Sequence, residues 1–128
     1  MRNRATIGAV AAVAALVVSL AGCNAGAQQT AATLTGGDPQ RGRAAVFKYG
    51  CGSCHTIAGI RDAHGLVGPP LTGIGNRMYV AGVLPNTPEN IVRWIRNPKD
   101  VDDKTAMPAL GVTTAEATDI AGYLYSTR

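Results

Sequence analysis

The chain has few of the side chains that most often carry chemistry. Among its 128 residues are two histidines, three cysteines, one tryptophan and one phenylalanine, and aromatic residues make up 5% of the total. No stretch alternates apolar and polar residues for long enough to read as a convincing strand. Gly73-Ile74-Gly75 has neither the third glycine nor the preceding strand of a dinucleotide-binding turn, which removes that class of function. Charge is also scarce, at 16% of residues, with 12 lysines and arginines against 8 acidic side chains. Arg2 and Arg4 lie in a leading segment, so the remainder carries 10 basic against 8 acidic groups. That near balance gives no basis for binding nucleic acid.

Against this sparse background stands the run Cys51-Gly52-Ser53-Cys54-His55. C-x-x-C-H is the pattern by which a chain bonds a haem through two thioethers and offers a histidine to its iron. If the run is helical, the two thiols share one face and reach one porphyrin edge, with His55 following in the same turn. The competing readings are a redox dithiol and half of a zinc site. A dithiol of the thioredoxin kind belongs beside a βαβ pattern, which is missing here. Zinc needs two further ligands, for which only Cys23 and His64 remain. Haem attachment is therefore the favoured reading.

The first residues give the motif a context. Met1 to Arg4 is basic, Ala5 to Leu20 is apolar with a single serine, and Leu20-Ala21-Gly22-Cys23 follows. Residues 1–22 are read as a signal segment, and Leu-Ala-Gly-Cys resembles the lipobox of bacterial lipoproteins, which makes Cys23 a lipid anchor. Two alternatives stay open. Ala25-Gly26-Ala27 resembles a cleavage site that would release a soluble periplasmic protein, and Thr6 to Gly22 could remain as a short spanning helix. All three export the domain to the periplasm or outer face. Residues 23–37, with no charge and little periodicity, are expected to be a flexible tether. A single domain of 91 residues, 38–128, follows. It has limited apolar surface of its own, and a haem would complete its core.

Three helices are legible in that domain. One opens at Asp38-Pro39, a cap followed by proline at the first helical position, and runs to the haem motif. The next opens at Thr87-Pro88, carries Ile91, Trp94 and Ile95 on one face, and stops at Asn97-Pro98. The last begins at Thr113 and Glu116, spaced as a capping box, with Ala117, Ile120, Ala121 and Leu124 at helical intervals. Between the first two lies Gly59 to Pro85, rich in glycine and proline, expected as a long ordered loop against something large and flat.

These landmarks together resemble a class I cytochrome c of the mono-haem, bacterial kind, over Asp38 to Arg128. Gly42, Phe47 and Tyr123 resemble the glycine and aromatics at which that family's terminal helices cross. Gly68-Pro69-Pro70-Leu71 resembles the segment whose proline carbonyl accepts the Nδ1 proton of the proximal histidine, a role that falls to Pro69. Arg77 and Thr105 stand where the family places groups near the haem propionates. Asn97-Pro98, followed ten residues after the asparagine by Met107, matches the spacing to the axial methionine. Trp94 lies where many members carry tyrosine, also in the haem surroundings, and the family's propionate-binding tryptophan has no obvious counterpart. Met107-Pro108-Ala109-Leu110-Gly111 is similar to small cytochromes and domains that feed terminal oxidases.

The resemblance implies an all-α, cytochrome c-like fold in which three main helices and the Gly/Pro-rich loop wrap one covalent haem c per chain. Cys51 and Cys54 would form the thioethers, and His55 and Met107 would be the axial ligands. Met78 and His64 are the rival sixth ligands, Met78 being more readily read as core packing and His64 as a surface residue. A soft thioether favours ferrous iron and a high potential, as suits an electron carrier. With both axial positions filled the iron would do outer-sphere transfer, without a small-molecule substrate or enzymatic activity. The expected partners are donors and acceptors of a respiratory chain, a terminal oxidase among them; Lys48, Lys99 and Lys104 could rim the haem edge and steer an acidic partner, although each is more readily read as solvated surface charge. The alternatives are a fixed haem relay in a larger periplasmic oxidoreductase and, less favoured, a haem sensor or enzyme with a labile sixth ligand.

Overall fold

The computed structural model describes residues 25–127. Residues 1–22, expected as a signal segment, and Cys23, expected as a lipid anchor, lie outside the described residues. Four helices organise the remainder: α1 over 25–35, α2 Pro39–Lys48, α3 Pro88–Arg96 and α4 Thr114–Ser126. Each of the last three begins where its local chemistry places it. Asp38 accepts from the amides of Gln40 and Arg41 ahead of Pro39. Thr87 accepts from Asn90 N ahead of Pro88. Thr113 and Glu116 close a reciprocal capping box. Each such cap is worth about 1 kcal/mol because it gives a partner to an amide that the helix cannot satisfy internally.

The core forms where α2 crosses α4, with α3 packed alongside. A Cβ on Gly42 would lie 1.9 Å from Asp119 O and 2.9 Å from Tyr123 Cβ. Only glycine permits that approach. Ala117, Ala121, Ile120 and Leu124 of α4 are buried together with Val46 of α2 and Ile91 and Ile95 of α3. Phe47, expected at this crossing, is instead 72% exposed. The inward face of α2 is Pro39, Gly42, Ala45 and Val46. Position 47 lies about 100° further round the helix and misses it.

Residues 25–35, expected as a flexible tether, are helical. Alanine is the strongest helix former, and the threonines that would compete with the backbone do not. The hydroxyls of Thr30, Thr33 and Thr35 donate to the carbonyls of Gly26, Gln29 and Ala31, each four residues back. Ala31, 3% exposed, docks this helix on the domain, and Gln40 Nε2 donates to Gln28 Oε1 at 2.9 Å. Among the described residues no helix is long and apolar enough to cross a membrane.

The Gly/Pro-rich connection is ordered by its own backbone. It contains a 3-10 turn, Ile74–Asn76, and a minimal antiparallel hairpin that the sequence did not signal: β1 Tyr79–Val80 paired with β2 Leu84–Pro85. Ala81 and Gly82 at its tip both have positive φ, and Val83 N donates to Val80 O. That geometry ordinarily announces itself as Asn-Gly, and alanine in the first position hides it. The strands are two residues each, too short to show a period.

Candidate functional site

The C-x-x-C-H run is a tight turn rather than a continuation of α2. Gly50, at φ 65°, breaks the helix, and Cys51–Ser53 forms a single 3-10 turn. The amides of Cys54 and His55 both donate to Cys51 O, at 3.3 and 3.0 Å. This turn holds both thiols and the imidazole within one short stretch of backbone. Cys51 and Cys54 are free and half-buried. Burial pushes the Cys51 thiol above its usual pKa. A neutral thiol is the opposite of the activated thiolate that a redox pair requires.

His55 is oriented by the loop. Its Nδ1 lies 2.7 Å from the carbonyl oxygen of Pro69. A carbonyl only accepts, so Nδ1 carries the proton and, in the neutral imidazole, Nε2 keeps a free lone pair for a metal. Gly68 passes so close to the ring that a Cβ there would lie 2.2 Å from His55 Cε1. Gly68 N donates to Cys54 O at 2.8 Å and Leu71 N to Thr56 O at 2.9 Å, which pins the segment to the motif.

A cavity of about 500 Å³ opens beside His55. The structure brings Cys54, His55, Pro69, Arg77, Trp94, Thr105 and Met107 to its lining; Cys51 is not among them and packs against the hydrophobic core. Arg77 donates from its guanidinium to Pro70 O. Thr105 Oγ1 accepts from Met107 N at 3.2 Å, so it caps the backbone of the methionine. Tyr79 and Asp102 also line the cavity. Tyr79 belongs to the unsignalled hairpin, and Asp102 has no motif that marks it.

The rival residues lie elsewhere. Met78, read as core packing, is 80% exposed, His64 is exposed, and neither lines the cavity. The three lysines read as a possible rim do not line it either. Lys48 Nζ pairs with Glu116 Oε1 at 2.7 Å, and Lys99 Nζ donates to Asp103 O.

This donor set fits a covalent haem. One thiol, an imidazole whose Nδ1 is held by Pro69 and one thioether line an apolar cavity of porphyrin-scale size, and the second thiol, Cys51, lies in the same short turn behind it. A bare metal ion fits less well: among the described residues no cluster of three or more His, Cys, Asp or Glu side chains stands ready to hold one.

Comparison with known proteins agrees. The family model for cytochrome c matches residues 39–128. A 69-residue stretch is 36% identical to cytochrome c oxidase subunit 2 of Alkalihalophilus pseudofirmus, covering 54% of this chain and 19% of that protein. The same subunit of Bacillus sp. strain PS3 is 33% identical over 86 residues, covering 64% of this chain and 24% of the relative. Cytochrome c2 iso-2 of Rhodospirillum centenum is 38% identical over 79 residues, covering 48% of this chain and 60% of the relative. The chain thus spans a quarter or less of the two oxidase subunits that it matches. No solved structure matches it significantly. With the family matched over the whole region that builds the cavity, the chain belongs to the cytochrome c family as a class I c-type cytochrome, an electron-carrying haem protein whose prosthetic group is covalently bound haem c.

Proposed function

We propose that this chain carries single electrons through one haem held by Cys51, Cys54, His55 and Met107, and delivers them within a bacterial respiratory chain to a terminal oxidase. The observation that carries the reading is the placement of His55 and Met107 on one cavity while Met78 and His64 lie off it. When bound, haem c supplies a one-electron couple at iron. The residues supply the rest. Pro69 keeps the Nδ1 proton of His55 and so strengthens Nε2 as a donor. Met107 offers a neutral, soft sulfur that favours the reduced state. The apolar lining excludes water, and Arg77 places a positive charge at the cavity. With His55 and Met107 both given to the iron, no place for a substrate would remain at the metal.

Exposed apolar side chains adjoin the cavity lining in the sequence. Val67 is 76% exposed, and Leu66 and Met78, beside the lining residues Val67 and Tyr79, are exposed as well. A brief, largely apolar encounter with a redox partner suits this surface. The second reading, a fixed relay within a larger oxidoreductase, draws support from the similarity to two oxidase subunits. Co-purification of an oxidase after mild solubilisation would favour the relay.

The chain is further proposed to be exported and held at the membrane by a lipid on Cys23. A cut after Ala27 would fall inside the helix 25–35 and remove Gly26, whose carbonyl accepts from Thr30. Mass spectrometry of the mature N-terminus decides: a diacylated Cys23 supports the anchor, and a start at Gln28 overturns it.

The axial assignment is tested on the haem-loaded protein by the long-wavelength sulfur-to-iron band of the oxidised form. The expected result is a band present in the native chain, kept in Met78→Ala and His64→Ala, and abolished in Met107→Ala, which then binds carbon monoxide when reduced. A band that survives Met107→Ala overturns the assignment.

A further inference from the structure

Asn86 joins three parts of the molecule that the haem motif does not touch directly. Its side-chain Nδ2 donates to Ile74 O at 2.7 Å and to Arg77 O at 2.8 Å. Its Oδ1 accepts from Tyr125 OH, near the end of α4, at 2.7 Å. Its own amide donates to Met78 O at 3.0 Å. All hydrogen-bonding positions but one lone pair of the side-chain amide are thus occupied, and the backbone around Arg77 is held from both sides of that residue.

Arg77 is the only link in this set that reaches the cavity wall with a charge. Its guanidinium donates to Pro70 O, one residue after the carbonyl that accepts from His55 Nδ1. A continuous series of hydrogen bonds and short backbone steps therefore runs from Tyr125 through Asn86, Arg77, Pro70 and Pro69 to His55. Arg77 is exposed along much of its length, and a long exposed arginine keeps one rotamer only if its backbone is fixed. Asn86 does that fixing. An aspartate would keep the acceptor for Tyr125 but lose both donors, leaving the Arg77 carbonyl without this partner and Ile74 O with Arg77 N alone.

We propose that Asn86 is a positioning residue for the redox centre: it sets Arg77, and through Arg77 and the Pro69–Pro70 segment it fixes the hydrogen bond that orients His55. The proposal rests on the assignment of His55 as an axial ligand. Stability alone would fall on any loss at a half-buried hub, so the decisive readouts are electronic and local to the histidine.

The experiment uses the haem-loaded full chain. The shift in midpoint potential caused by Arg77→Gln is measured in the native background and in Asn86→Ala, with Asn86→Asp as the conservative control. The shift is expected to fall to less than half in both Asn86 variants, because the guanidinium they release no longer acts from one place. Solvent exchange of the His55 Nδ1 proton, followed by NMR, is expected to quicken at least tenfold in both. Equal Arg77→Gln shifts in native and variant backgrounds, unchanged exchange, or native behaviour of Asn86→Asp overturns the proposal. If Asn86→Ala yields no loaded protein, Tyr125→Phe, which removes one bond to the same amide, is read in the same two ways with smaller amplitude. Loss of the sulfur-to-iron band in Met107→Ala and NMR detection of His55 as a ligand test the axial reading separately, so its failure is distinguishable.

Discussion

Where α2 crosses α4, every polar group taken inside has a partner from the chain itself. Asp119, 8% exposed, accepts from Asp38 N at 2.7 Å and from Arg41 Nε and Nη2 at 2.8 and 2.9 Å, which holds its carboxyl below the usual range. Glu116 accepts from Lys48, Thr113 and Tyr49. Around the cavity the pattern differs. The wall comes from a short turn, a loop, a minimal hairpin, Trp94 of α3 and the irregular stretch around Met107, and its apolar side chains face open space. The crossing is closed by its own packing, and the cavity side is shaped by it. A rigid helical corner can hold long loops in place, and loops so held are where binding chemistry is usually found.

The sharpest way to break this division is to alter the cavity side without touching the crossing. Gly68→Ala puts a methyl group where the His55 ring stands, and the expected outcome is loss of most haem-loaded protein, with the residue lacking the native low-spin spectrum. Native spectra at normal yield would show that the loop yields more readily than its hydrogen bonds imply.

Gly42→Ala attacks the crossing instead. A methyl group 1.9 Å from Asp119 O forces α2 and α4 apart, at a cost of about 1–3 kcal/mol. Denaturant unfolding should show a lower midpoint, while the optical spectrum of the remaining folded protein stays native. A changed spectrum would mean that the two regions are mechanically coupled.

The smallest effect is electrostatic. Lys48, Thr113 and Tyr49 bring the Glu116 carboxyl down to about 2. Its folded pKa lies below its unfolded one, so its contribution is complete above the ordinary carboxylate pKa of about 4.3 and is lost as pH falls from there toward 2. Glu116→Gln should flatten the stability curve in that window alone. The side chain is on the surface, so salt should weaken the effect in parallel.

Helix starts were legible because their causes are local. Asp38-Pro39, Thr87-Pro88 and the Thr113–Glu116 pair each act within four residues, and the structure begins a helix at each. The hairpin at Tyr79 to Pro85 was not legible, because an Ala-Gly tip conceals a turn that depends on positive φ. Composition predicts a tether over 25–35 because it does not reveal that Ala31 has a surface to dock on. Residue type suggests an inward Phe47, although its position on α2 points it outward. Arg41 with Asp119, and Asn86 with Tyr125, left no sequence signal, since each pair is joined across 78 and 39 positions.

From its sequence alone this protein was determined to be a haem-binding helical chain, because C-x-x-C-H, three capped helices and a Gly/Pro-rich loop are short-range patterns with short-range causes. Only the tertiary structure decided which residues meet. It set the Pro69 carbonyl 2.7 Å from His55 Nδ1, brought Met107 and not Met78 to the cavity, and paired Lys48 with Glu116. Those outcomes depend on how closely α2 and α4 approach at Gly42 and how the loop folds back on the motif, which packing between distant segments settles.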